Sequence, residues 1–339
     1  MKYVTNCRIG PAGNKSAAAP SAVNHSDLRL LFAIGSTLSL ILGMEPSATA
    51  CACGCGIYEV GTASMIPTSA GAEVYVDYDY QDQSHNWSGS LEAPAADNPD
   101  KDIRTSWFTL GCQDMFDHSW GLRLELPYEE RHFVTTGGAT GNDIVALNFS
   151  GFGDIRIEGI YTGFSPDLSQ GLTFGFKLPT GSDTTNDAYG DIDRDTEIGS
   201  GSTDILLGGF DRFSFGSESA WSGFSQVLLD LPVLTQVQYR PGTEFDVALG
   251  AYYDGLKIGR LHIAPIGQLK LSVRSRDTGA NSANPVASGF VRVLAAPGLE
   301  LDLHPVTVYT DVELPLYYHF TGDQMAAKVL LRLAVSYMF

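Results

Sequence analysis

The residues best suited to chemistry are Cys51, Cys53 and Cys55, spaced by two in the stretch CACGCG. Thiolates at that spacing suit a soft cation such as Cu(I) or Zn, or oxidation. Cys112 is the remaining cysteine downstream of them. In an oxidising compartment the default is a disulfide from the cluster to Cys112. A second bond within the cluster would close a very small, strained ring. A metal site built from Cys51, Cys53, Cys55 and Cys112 is the sharper alternative, although it lacks paired C-x-x-C spacing and a nearby His. No C-x-x-C-H occurs, so c-type haem attachment is unsupported. The stretch Asp191-Ile192-Asp193-Arg194-Asp195 resembles half of a calcium loop but lacks the following Gly and the closing Glu. It reads as a solvated acidic loop with at most weak cation binding. Neither G-x-S-x-G nor H-E-x-x-H is present, and the seven His are scattered. The chain reads as a non-enzyme with no required cofactor.

A second set of chemical residues lies on one face of alternating segments. Arg123, Glu125, Asp154, Arg156, Glu158, Lys177, Asp230, Lys270, Arg274, Glu313 and Arg332 occupy positions opposite runs of apolar side chains, as do Asp77 and Asp246. Charges of both signs on a buried face need water or partners. They fit either a salt-bridge network bracing a wall or the lining of a lumen that selects permeants.

The elements that position them follow from composition and period. The 339 residues carry a formal charge of −18, which excludes nucleic acid as a partner because phosphate binding needs a basic face. Residues 1–50 carry Lys2, Arg8, Lys15 and Arg29, then the apolar run Leu28 to Leu42, then Ala48-Thr49-Ala50. That order predicts a secretory signal cleaved after Ala50; lipidation of Cys51 is the alternative. Residues 51–70 then form a Cys-rich periplasmic segment, with the capacity to dock a periplasmic partner, and 71–339 a single β-domain.

Within that domain the period is two. Leu122, Leu124, Leu126 and Tyr128 share one face, with Arg123 and Glu125 on the other. Leu172, Phe174, Phe176 and Leu178 oppose Lys177; Val312, Leu314 and Leu316 oppose Asp311 and Glu313. Strands are expected near 71–80, 103–114, 118–131, 152–164, 169–180, 202–213, 219–231, 244–254, 259–275, 288–297, 303–318 and 326–339. Short turns alternate with long links at 81–102, 132–151, 181–201 and 276–287. About twelve antiparallel strands with that rhythm predict an all-β, up-and-down transmembrane β-barrel of the outer membrane of a Gram-negative-type cell, with short periplasmic turns and longer extracellular loops.

The final segment sharpens this expectation. Val329, Leu331, Leu333, Val335, Tyr337 and Phe339 alternate to a terminal Phe, the form read by the barrel-insertion machinery; Lys328, Arg332 and Ser336 would face inward. A charged-Leu-Pro triplet recurs at Glu125-Leu126-Pro127, Lys177-Leu178-Pro179, Asp230-Leu231-Pro232 and Glu313-Leu314-Pro315. Proline removes a ladder donor, so each triplet should mark a strand end or bulge.

The stretch from Gly151 to Phe213 contains G-F-G-D, then K-L-P-T-G, then G-S-G-S-T-D. Through Gly151, Gly153 and Asp154, Lys177 to Gly181, and Gly199, Gly201 and Asp204, it resembles the outer-membrane barrel family associated with the meta-pathway of phenol degradation, whose members are described as transporters. The resemblance implies a channel or transporter for passive passage of small molecules, hydrophobic or aromatic ones among them, surrounded by outer-membrane lipid. A non-conducting structural barrel and a metal-linked barrel using the Cys cluster are the alternatives.

Overall fold

The computed structural model describes residues 66–138, 141–216, 220–280 and 287–339. The described residues form fourteen strands: β1 (Gly71–Gly89), β2 (Leu91–Glu92), β3 (Asp102–Met115), β4 (Trp120–Gly137), β5 (Asp143–Phe152), β6 (Ile155–Tyr161), β7 (Gln170–Leu178), β8 (Thr203–Ser214), β9 (Trp221–Leu234), β10 (Glu244–Tyr253), β11 (Leu256–Ile258), β12 (Leu261–Arg274), β13 (Phe290–Leu303) and β14 (Val306–Met338). All pairings are antiparallel, and β10 pairs with both β9 and β12 while β14 pairs with both β13 and β1. The sheet therefore closes on itself. Eleven of the described strands form the ring; β2, β5 and β11 lie off it, on β1, β4 and β12.

The last two expected strands run as one element. Residues 306–320 of β14 pair with β13, and residues 320–338 pair with β1. A straight strand of 33 residues would be about 110 Å long at ~3.3 Å per residue, so β14 has to turn back. It does so at Gly322, whose φ of 75° only glycine adopts readily.

Two expected links are strands. Residues 81–89 continue β1, residues 132–137 form the end of β4, and 143–152 form β5. Their outward faces carry Asp82 and Ser84, or Asn148 and Ser150, and so lack the apolar alternation that marks a lipid-facing strand. The proline triplets mark irregularities as expected. Pro127 lies opposite the break between β5 and β6, Pro179 follows β7, and Pro232 and Pro315 sit at register shifts. Lys328 departs from expectation: a shift in the β1 pairing between Leu330 and Ala327 turns it outward and leaves it exposed.

The outward face is apolar and ordered in tiers. Val76, Leu110, Leu124, Phe176, Leu207, Leu249, Leu269 and Leu333 are exposed from strands all round the ring. Each such side chain is worth about 1.5–3 kcal/mol on leaving water, so the belt as a whole demands an apolar surrounding. Aromatic rings bracket it. At the short-turn end Trp120 meets Tyr161 at 4.7 Å, Trp221 meets Tyr253 at 5.2 Å and Tyr337 meets Phe339 at 5.0 Å. At the other end Tyr78, Phe108, Tyr128 and Phe152 form one row across paired positions of four strands. Trp120 and Tyr128 are eight residues apart on β4. That is about 26 Å along the strand, close to the ~25 Å apolar band of membrane barrels.

Candidate functional site

The inside of the ring is layered. At the short-turn end Met115, Ile160, Phe210, Phe224, Ile266, Tyr309 and Ala334 from the strands, with Leu168 from the turn between β6 and β7, form an apolar layer. Ile66, 2 % exposed, packs into this layer from the segment before β1. Above that layer the inward side chains mix polar and charged groups with smaller apolar clusters, around Leu206 and Leu228, around Phe290 and Leu294, and around Ile103 and Phe133.

On the side of β1, β12 and β14 the charges neutralise one another. Lys270, fully buried, meets Glu313 at 2.5 Å and Asp311 at 3.6 Å. Arg332 grips Asp77 and stands 3.8 Å from Asp79. Gln268 donates to Tyr309 at 2.7 Å and to Asp311 at 3.0 Å, and Tyr309 donates to Asp311 at 2.6 Å. Gln268 and Lys270 on β12 reach Tyr309, Asp311 and Glu313 on β14 across the intervening β13, while Arg332 stands directly opposite Asp79 on β1.

On the side of β4 and β6 to β9 the charges surround space. Arg123 bonds Gln113 at 2.8 Å and Glu158 at 3.4 Å; Tyr75 donates to Glu125 at 2.5 Å. Lys177 lies between Asp204 at 2.6 Å and Asp230 at 2.5 Å. Above them is a cavity of about 160 Å³, walled by Glu125, Asp154, Arg156, Lys177, Asp230 and Arg274 among others. Its roof is the link between β7 and β8, residues 179–202, which folds down into the ring.

Two residues hold that link. Asp154 sits in the break between β5 and β6, off the regular ladder. It accepts from the Gly181 amide at 2.9 Å, from the Ser200 amide at 2.9 Å and from the Ser200 hydroxyl at 2.5 Å. Arg131 on β4 donates to the carbonyls of Thr196 and Glu197, the latter at 3.1 Å, and is itself braced by Glu129 at 2.9 Å. Gly153, Gly181 and Gly199 pack backbone to backbone: a Cβ on Gly181 would lie 2.7 Å from the Gly199 Cα and 3.1 Å from the Gly153 Cα. The expectation of a solvated acidic loop is overturned here. Ile192 is buried against Ile103, Phe133 and Met325, Thr196 is fully buried, and Arg194 stacks on Tyr239 at 4.6 Å and pairs with Asp183 at 3.0 Å. Among the described residues no cluster of three His, Cys, Asp or Glu side chains has metal-binding geometry.

Two carboxyls of the long-link end are perturbed. Burial, reinforced by the nearby Asp193, pushes Asp100 up to about 8. Burial also raises Glu197, against two bonds from Thr185 that favour its charged form.

All eleven charged residues expected inside are buried or half-buried among inward side chains. They divide into two groups: Lys270, Glu313 and Arg332 belong to the closed network, and Arg123, Glu125, Asp154, Arg156, Glu158, Lys177, Asp230 and Arg274 to the cavity and its floor. Cys112 lies on the outward face of β3, exposed, near the short-turn end. Cys51, Cys53 and Cys55 lie outside the described residues. Sequence reasoning missed Arg131, Glu129 and Arg292. For the first two the signal was present, because the alternation through Arg123, Glu125 and Pro127 continues to positions 129 and 131 without a break.

No family model matches the chain, and no curated protein matches it significantly. Among solved structures it is similar to an outer-membrane channel of Pseudomonas putida F1, at TM-score 0.60 and 11% identity, covering 83% of this chain and 100% of that one. It is more distantly similar to the β domain of a Bordetella autotransporter, at TM-score 0.49 and 11% identity over 80% of this chain and 100% of that one. A toluene transporter of Pseudomonas putida follows at TM-score 0.39 and 8% identity, over 86% and 96%. The likeness to the first shows the fold alone: a closed antiparallel β-barrel. The other two bear no further weight.

Proposed function

We propose that the protein is an outer-membrane channel for passive passage of small molecules. The observation that carries this reading is the union of an apolar, aromatic-bracketed outer belt with an inner face of charged side chains around a cavity. A wall of that kind needs lipid outside and water or a polar permeant inside. Counting the halves of β14 separately, the ring is crossed twelve times, and β1 begins beside the end of β14 at the short-turn end. An even count with both ends on the short-turn side fits the periplasm there and the extracellular face at the long links. The finer expectation of a hydrophobic or aromatic permeant rests on the family resemblance. Trp107, Ile198 and Tyr239 supply the apolar part of a mostly charged cavity wall.

One observation favours a second reading, a non-conducting barrel: an apolar layer that includes Ile66 lies inside the ring at the short-turn end. Single-channel recording separates the two. The channel reading expects discrete conductance steps from the folded full chain in a planar bilayer. Persistent silence, with heat-modifiable gel migration proving a folded barrel, would overturn it. Recovery in the soluble periplasmic fraction with no mobility shift would overturn both.

A further inference from the structure

We infer that the cavity beneath the 179–202 link is a binding site for a compact organic cation, an ammonium or guanidinium group. The inference names the permeant class of the proposed channel and rests on that reading, while its binding step is measurable without conduction.

The first support is the balance of charge. Eight acidic and five basic side chains line the cavity, a formal excess of three acids. The basic groups are also largely committed. Lys177 is shared between Asp204 and Asp230 and so offsets only one of the two carboxylates that touch it. Arg131 is held by Glu129, Thr105 and two loop carbonyls. Arg194 and Arg274 pair with Asp183 and Asp277, acids that are not part of the cavity wall. Where carboxylates are crowded and partly buried, an uncompensated one is costly, and a cation with N–H donors relieves it.

The second support is independent of the count. Glu197 is 7 % exposed and lines the cavity. Its Oε1 accepts from the Thr185 amide at 2.8 Å, while its Oε2 is buried with no hydrogen-bond partner. That oxygen is an acceptor awaiting a donor.

The third is shape. A volume of about 160 Å³ holds several waters or a cation of a few heavy atoms, and excludes a bulky amphiphile from full entry. Trp107 and Tyr239 already present ring faces to the guanidinium groups of Arg131 and Arg194, at 6.0 and 4.6 Å, so this wall accommodates planar cations against aromatic surface.

The test is isothermal titration calorimetry of the folded full chain in detergent, with methylguanidinium and ethylammonium chlorides as probes and sodium acetate as the anionic comparator. The expected result is saturable binding of both cations and none of acetate. Glu197→Gln keeps the acceptor for Thr185 and removes the charge; it should weaken cation binding about tenfold, which is ~1.4 kcal/mol. Asp230→Asn is the second variant, so a failure of one to fold leaves the other. Heat-modifiable migration checks that each remains a barrel. Absence of saturable cation binding, equal binding of acetate, or unchanged affinity in the folded variants would overturn the inference. A protein that conducts but binds no cation keeps the channel reading and loses the site. One that binds cations but never conducts keeps the site and loses the channel.

Discussion

The two sides of the ring use the same side-chain chemistry to opposite ends. Around Lys270 on β12 and Arg332 on β14, each inward basic group stands within reach of two carboxylates. Around Lys177, the roof is a link rather than a strand, and the charges line a void. Strand side chains alone make the first network. In the second, Asp154 and Arg131 spend their hydrogen-bonding capacity on a segment that has no ladder of its own. An ion pair therefore braces the wall where strands run uninterrupted, and forms a site where the strand breaks.

Breaking the braced side should have the largest effect. Lys270→Met leaves Glu313 and Asp311 buried together without their cation, at a cost of about 3–5 kcal/mol. The temperature at which the folded band disappears from heat-modifiable gels should fall steeply. Lys177→Met, whose side chain is 15% exposed beside the cavity, should cost less, about 1–2 kcal/mol. Equal losses would erase the distinction between the two sides.

The outer belt provides a scale for both. Leu124 faces outward between the two aromatic tiers. Leu124→Arg should destabilise the barrel in lipid by about 2–4 kcal/mol. A negligible loss, read from denaturant unfolding in vesicles, would contradict a lipid-facing position.

Asp154→Ala removes three bonds from the inserted link and none from a strand ladder. Gel mobility should stay that of a folded barrel while mean conductance in planar bilayers rises several-fold and becomes noisier. Unchanged conductance would mean that the link does not restrict passage.

The smallest effect concerns pH. Asp100 keeps its proton in the folded protein up to about 8, whereas a free Asp loses it near ~3.9. The folded contact with the Asp193 region thus binds an extra proton between those values. Its stability is complete below about pH 4 and declines as pH rises towards about 8. Limited proteolysis of the link before β3 should be faster at about pH 9 than at about pH 6, and Asp100→Asn should remove the difference.

Much of this barrel was legible because lipid imposes a period. Every crossing that contacts the bilayer alternates, so β3, β7, β8, β10 and β12 fall within a few residues of expectation. The ends of β1 and β4, and all of β5, were hidden because above the aromatic row both faces meet polar surroundings and the alternation loses its contrast. Lys328 was misplaced because one irregular pairing flips a face, and register shifts leave no mark in local sequence. Of the site, the inward charges were visible one by one. Their division into a closed network and an open cavity was not.

The glycine and aspartate motifs show the boundary most clearly. Gly153-Asp154, Lys177 to Gly181, and Gly199 to Asp204 stand apart in the chain, and by themselves read as turn signals. In the folded protein they form one knot: three glycine backbones in contact, Asp154 holding the link, and Lys177 between two carboxylates. The sequence by itself determined the lipid-facing strands, most of their inward and outward faces and the apolar belt, because those depend on a two-residue period and on the solvent outside. Only the tertiary structure decided which charges meet, where a cavity remains and that the acidic link folds inward, because each depends on contacts between segments tens of residues apart.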